Sequence, residues 1–181
     1  MPETMPRTPL PLRLDELAEG TSRVEFEVTA EQLDLQDPFL TLASPLQVRV
    51  EVRRSLEAFD IRGHVHATAA GECCRCLVRT EKAVDAQFVV LLQRHATSPD
   101  EAEAAAEQDD MDFLPPGTKE VDLGDRVRDA VIIDLPVRLY CSEDCRGLCP
   151  RCGHDLNHGP CTCTEEEPDQ RWEALRGLKF T

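Results

Sequence analysis

The sequence predicts an α+β fold: an antiparallel β-sheet with a few packed helices, followed by a small C-terminal module that cysteines hold together. Three observations predict it. Three segments alternate apolar and polar residues with the two-residue period of half-buried strands; one segment spaces its apolar residues as a helix does, with a proline just beyond it; and six of the nine cysteines crowd into residues 141–163. With 181 residues and 41% hydrophobic content the chain can bury one real core, so one domain with a small appendage is the expected count.

The elements follow in order. Residues 1–20 are expected to be a loose N-terminal segment, although Leu12, Leu14 and Leu17 begin an apolar pattern that suits a short strand or a helical turn. A sheet domain is expected over 21–137. In 47–53, Val48, Val50 and Val52 alternate with Arg49, Glu51 and Arg53; in 61–69, Ile61, Val65, Ala67 and Ala69 oppose Arg62, His64, His66 and Thr68; in 84–92, Val84, Ala86, Phe88, Val90 and Leu92 supply a third strand. Short connections make such strands antiparallel, with one buried and one wet face. Residues 98–113 carry seven acidic residues, no basic one and an Ala-rich centre, which reads as a solvated, mobile linker inside this domain. A helix is expected from about 121 to 134, with Asp122 as N-cap, Val127, Ala130 and Val131 as its apolar face, and Pro136 beyond its end. The cysteine-rich module occupies 138–166. A last helix is expected within 167–181, at 168–178, presenting Trp172, Leu175 and Leu178 as one stripe.

The cysteines carry the chemistry. Cys149-Pro150-Arg151-Cys152-Gly153 has the form of a zinc knuckle, in which two thiolates from one tight turn reach one ion and glycine lets the chain turn back. Cys161 and Cys163 follow after a stretch with the turn formers Asn157, Gly159 and Pro160, so Cys149, Cys152, Cys161 and Cys163 can close one tetrahedral Zn²⁺ site. The remaining arithmetic suggests a second, split site that takes Cys73 and Cys76 from the end of a strand and Cys141 and Cys145 from the module, with Cys74 left over. The alternative for Cys73 and Cys76 is a pair of small residues buried in a sheet. All-sulfur sites with no open position are structural, so metal here is expected to contribute folding free energy and no Lewis acidity.

Composition narrows the function. A net charge of −15 argues against a protein that grips bare nucleic acid through many phosphates. Residues 46–82, where seven Lys and Arg outweigh five acids, should hold the one net-positive surface; Arg49, Arg53, Arg62, His64 and His66 are its candidate contacts, with Arg75 and Arg79 beside the cysteine turn. An ordinary wet sheet face is the alternative. No apolar run suits a signal peptide or a membrane span, which points to a reducing cytoplasm where clustered cysteines bind metal more often than they cross-link. A thiol redox role for Cys73 and Cys76 lacks the following helix that would lower a thiolate pKa, and a zinc-ribbon regulator of transcription is at odds with three Arg against three acids in 138–163. No histidine joins a recognisable nucleophile, so no enzyme is expected.

Taken in order, Cys73-x-Arg75-Cys76-Leu77, Asp122-Leu123, Ile132-Ile133-x-Leu135-Pro136, and the run Cys141, Cys145, Gly147, Leu148, Cys149, Pro150, Cys152, Gly153, Leu156, Asn157, Cys161, Cys163 make a recognisable series. From about residue 46 to its end the chain resembles the YceD family, also called the large ribosomal RNA subunit accumulation proteins. The resemblance implies a bacterial cytoplasmic protein needed for large-subunit (23S) ribosomal RNA to accumulate, a biogenesis factor with no catalytic residues to carry over. Its implied partners are the large-subunit precursor, rRNA or ribosomal proteins, with no membrane and no small-molecule substrate. Cys74 stands where the family motif is variable.

Overall fold

The computed structural model describes residues 10–43, 45–94, 111–115 and 117–163. Its centre is a long antiparallel hairpin, β5 (Ala58–Glu72) and β6 (Arg79–Arg94). β4 (Leu46–Ser55) pairs with the first half of β5, and β2 (Gly20–Val28) extends the sheet beyond β4; β3 (Leu40–Leu42) takes up the free end of β5 at Ala69–Gly71. β7 (Met111–Leu114) adds to the other edge, against Leu91–Arg94 of β6. A separate two-stranded ribbon joins β1 (Pro11–Arg13) to β8 (Glu120–Asp122).

The two-residue period does what the sequence predicts. Val48, Val50, Val52, Ile61, Val65, Ala67, Ala69, Val84, Ala86, Phe88, Val90 and Leu92 all face one buried layer, while Arg49, Arg62, His64 and His66 face solvent. Each buried Val, Ile or Leu contributes about 1.5–3 kcal/mol relative to exposure. The layer is covered by Val127, Ala130 and Val131 of α1 (Gly124–Asp134), which packs on β6, and by Leu10, Leu12, Leu14, Leu17 and Leu123. α1 ends at Leu135, whose extended backbone (φ −60°, ψ 130°) is the conformation forced on a residue that precedes proline.

Several expectations are corrected. The sheet is mixed: β6 and β7 run parallel. Parallel neighbours need a crossover of a dozen residues or more, and positions 95 through 110 separate the two strands. Residues 111–113 of the expected acidic linker therefore lie in a strand; the rest of it falls outside the described residues, as does the expected helix at 168–178. α1 is the one α-helix among the described residues. The segment after residue 9 is not loose, because Leu10, Leu12, Leu14 and Leu17 are buried and β1 is hydrogen-bonded. Asp122 is not the N-cap. Leu123 is, without a side-chain cap, while the Asp122 carboxylate accepts from the backbone N–H of Gly124 (2.9 Å) and of Leu10 (2.8 Å), tying the N-terminal segment to the start of α1. No helix among the described residues is long and apolar enough to cross a membrane.

Candidate metal centres

Two copies of one tight turn build the site. In the hairpin tip after β5, the Leu77 N–H donates to the Cys73 carbonyl (2.9 Å) and the Cys73 N–H to that of Val78 (2.9 Å). In the module, the Gly153 N–H donates to the Cys149 carbonyl (2.9 Å) and the Cys149 N–H to that of His154 (2.8 Å). Both turns need a residue in the left-handed region: Gly153 has φ +72° and Leu77 has φ +62°. Glycine adopts that conformation freely, whereas for a leucine it costs about 1–2 kcal/mol.

These turns aim their sulfurs at two others each. Cys73, Cys76, Cys141 and Cys145 form one group, and Cys149, Cys152, Cys161 and Cys163 a second; within each, all Sγ atoms lie within 4.8 Å of one another. Cys73 Sγ is 3.8 Å from Cys145 Sγ, and Cys76 Sγ is 3.5 Å from Cys141 Sγ. A tetrahedral ion with metal–sulfur bonds of about 2.3 Å places its ligands about 3.8 Å apart, so the spacing fits four-sulfur coordination. All nine cysteines are free thiols. Cys73, Cys76, Cys145 and Cys149 are buried, and Cys74 is exposed and outside both groups.

The thiols of each group are polarised against one another. For Cys73, burial pushes the thiol up, but backbone N–H groups of Cys141, Cys76 and Arg75 outweigh it and bring it down to about 6. Cys145 is also lowered: burial opposes, but the Asn157 side chain and the Gly147 N–H prevail. Cys141 is raised, chiefly by Cys145, and Cys76 is pushed up to about 12, where burial and the neighbouring thiols overcome the Val78 N–H. In the second group, N–H groups of Cys152 and Arg151 bring Cys149 down to about 6, while Cys152 and burial push Cys163 up to about 12. Four sulfurs cannot all ionise side by side without a counter-charge. In the first group the backbone and Asn157 favour the thiolate at Cys73 and Cys145, while the neighbouring sulfurs disfavour it at Cys76 and Cys141.

Backbone and side chains lock the groups to each other. The Arg75 guanidinium lies 4.6 Å over the Tyr140 ring and donates to the carbonyls of Glu143 (3.0 Å) and Cys145 (2.8 Å). The Leu148 N–H reaches back to the Arg75 carbonyl (3.1 Å). Gly147 makes that approach possible: it has φ +74°, and a Cβ there would stand 2.9 Å from the Arg75 oxygen. Asn157, held in the loop between Cys152 and Cys161, donates from its side-chain amide to Cys145 Sγ (3.5 Å) and accepts from the Arg146 N–H (2.8 Å). Asp155 orients it by accepting from its backbone and side-chain amides. The Cys74 N–H also bonds the buried Leu139 carbonyl (2.8 Å), so the module is sewn onto the sheet. Sequence reasoning assigned Asn157 to a turn and no role to Tyr140.

The expected basic patch does not form. Arg49, Arg53, Arg62, His64 and His66 do share the wet face, but so do Glu25, Glu27, Glu51, Asp60 and Asp85, which outnumber the arginines Arg23, Arg49, Arg53 and Arg62 five to four. Arg49 pairs with Glu25 (3.2 Å), Arg62 with Asp60 (3.2 Å), Arg23 with Glu51 (3.2 Å), and His66 Nδ1 lies 2.6 Å from Asp85. Acids contributed by β2 and β6 balance the bases that β4 and β5 concentrate. Arg75 is exposed but bonds two carbonyls of the cysteine module, and Arg79 sits at the exposed start of β6 opposite Glu72.

Residues 61–179 match the family model for the large ribosomal RNA subunit accumulation protein YceD. The chain belongs to the YceD family. It is 27% identical over 189 residues to the chloroplastic "Large ribosomal RNA subunit accumulation protein YCED homolog 1" of Arabidopsis thaliana, a match that covers 93% of this chain and 57% of the plant protein. An uncharacterized protein of Mycobacterium tuberculosis is 32% identical over 130 residues, covering 72% of this chain and 60% of that one. The maize homologue of the plant protein is 27% identical over 143 residues, or 66% of this chain and 49% of its own length. The matches thus span about half to three fifths of these relatives. No solved structure matches the chain.

Proposed function

We propose that this YceD-family chain is a non-enzymatic factor for biogenesis of the large ribosomal subunit, supporting 23S rRNA accumulation or processing in the bacterial cytoplasm. Its partners would be ribosomal proteins or rRNA of the subunit precursor. The observation that carries this reading is the family match over residues 61–179, together with relatives whose names state large ribosomal RNA accumulation. Both four-sulfur groups would hold Zn²⁺, since soft thiolates in a tetrahedral array suit zinc, and closed sites of this kind supply folding free energy. A redox role for Cys73 and Cys76 is disfavoured by their burial and by the strand that follows them.

Deletion of the gene in its own host, followed by quantification of mature large- and small-subunit rRNA, tests the reading. A selective fall in large-subunit rRNA, with the tagged protein co-sedimenting with precursor particles, is the expected result; unchanged rRNA ratios would sink it. Elemental analysis should find zinc, and iron with visible absorbance would replace the metal assignment.

A further inference from the structure

We propose that β2 is a self-association edge: two copies of this chain pair antiparallel through Gly20–Val28, about a twofold axis at Val24, and join their sheets into one. This stands apart from the ribosomal reading and does not depend on it. The sheet has two edges, and they are not alike. β7 is four residues long, and shortness is one way a natural sheet keeps an edge from recruiting another strand; β2 runs for nine residues with no proline and no lysine. Among the described residues no strand lies beyond β2, and its residues make no backbone–backbone hydrogen bond outside the ladder with β4. The core layer also stops short there, since Val24 and Phe26 pack against the core yet stay only half-buried.

The charges on this edge select the occupant. Residues directly opposite in an antiparallel pair share a face, so a slip of one residue would set one copy's core face beside the other's wet face, and only registers two residues apart compete. In the register that uses the whole strand, Gly20 stands opposite Val28 of the other copy, Arg23 opposite Glu25, and Val24 opposite itself. A slip of two residues one way sets Arg23 against Arg23, and the other way Glu25 against Glu25. Opposite charges stabilise a cross-strand pair and like charges destabilise it, so the full-length register is favoured and both its neighbours are penalised. Within each chain Arg23 already pairs with Glu51 (3.2 Å) and Glu25 with Arg49 (3.2 Å). Across the seam the row therefore reads Glu51, Arg23, then Glu25 and Arg49 of the other copy, with the sign alternating throughout. On the core face Val24 meets Val24 and Ser22 meets Phe26, which covers the half-open rim. A second copy supplies this pattern from its own sequence.

The contact is one strand wide, which is small for a stable interface, so dimers should form at micromolar concentrations and part on dilution. Sedimentation equilibrium on the full-length protein tests this, comparing wild type, R23E, E25R and the double variant R23E/E25R, with a melting curve for each. Both side chains are exposed and their in-chain ion pairs are worth little, so all should melt alike. R23E alone places Glu opposite Glu and E25R alone places Arg opposite Arg, and each should weaken dimerisation by about tenfold or more. The double variant should recover it. R23E mixed with E25R should form a mixed dimer, because each copy then supplies the charge the other lacks. In wild type, backbone amides of residues 20–28 should exchange with deuterium more slowly at high protein concentration than at low, a reading of the seam that needs no substitution. Wild type that stays monomeric to its solubility limit, exchange in this strand that ignores concentration, dimers that survive R23E and E25R alike, or single variants that stay monomeric when mixed would each overturn the proposal.

Discussion

The upstream turn at Cys73 and Cys76 and the downstream turn at Cys149 and Cys152 share one hydrogen-bond scheme but sit in different surroundings. The first completes its four sulfurs with Cys141 and Cys145, as many as 72 positions away in sequence, and three of its four cysteines are buried. The second draws all four from residues 149–163, and only Cys149 is buried. Closing the longer loop removes more chain entropy from the unfolded state, by about 1.5 kcal/mol for a fivefold difference in length. The lesson is that identical ligand turns can do different work: the first site staples the module to the sheet, and the second shapes the module itself.

The largest effect expected from this contrast comes from removing a ligand of the staple. Cys73→Ser should cut zinc from two ions per chain to one and lower stability by about 3 kcal/mol or more, the scale of losing a native covalent cross-link of similar reach. Cys152→Ser should also lose one ion but cost only about half as much, because the sheet core does not depend on it. Metal analysis with chemical denaturation of the two variants decides the matter. Equal losses would make the sites equivalent and remove the distinction.

Acid should separate the sites next. Cys73 and Cys149 are both lowered to about 6, below an unfolded thiol at about 8.5, so the stability they contribute is fully present above the unfolded value and disappears as pH falls through about 6. Metal should therefore leave on acidification, from the less buried second site before the more buried first. A chelator-linked colour assay on wild type and Cys152→Ser resolves the two phases; a single phase in wild type at the pH of the variant's would break the comparison. Cys76 and Cys163, raised to about 12, hold their protons at neutral pH in the metal-free chain, so metal entry should release them into the buffer, where calorimetry can count them.

What could be read from the chain follows the range of each signal. Strands β4, β5 and β6 were legible because a period of two is local and long: Val48 through Val52 and Ile61 through Ala69 each declare a face. β2 carries the same signal in Val24, Phe26 and Val28 against Arg23, Glu25 and Glu27, and reading the region as a sheet without that strand concealed Glu25, the acid that pairs with Arg49. β1, β7 and β8, at three or four residues each, are too short for any period to show, and their pairing is decided by tertiary contact. Ligands inside one turn could be paired from spacing. Joining Cys73 and Cys76 to Cys141 and Cys145 required counting leftovers, since nothing local to Cys73 records where residue 145 lies. Asn157 shows the same limit in miniature: its turn propensity is local, its bond to Cys145 is not.

That bond carries the smallest and sharpest prediction. Asn157 belongs to the loop of the second site by sequence, yet its amide donates to a sulfur of the first and helps hold the Cys145 thiol down. If the sites communicate, they do so here and through the Gly147 carbonyl, which accepts from Leu156 (2.9 Å). Asn157→Ala removes three side-chain hydrogen bonds, to Cys145 Sγ, to Asp155 and from the Arg146 N–H, and should cost about 1 kcal/mol in all because they lie in exposed or half-buried loops where water competes, with metal lost from the first site while the second keeps its ion. Cys152→Ser, which loosens the loop that positions Asn157, should weaken the first site through the same contact. The two changes should then combine to less than the sum of their separate effects on retention of the first ion, by about 0.5 kcal/mol or more. Strict additivity in that double-mutant cycle would mean the staple does not sense the module, and the two turns would be neighbours without coupling.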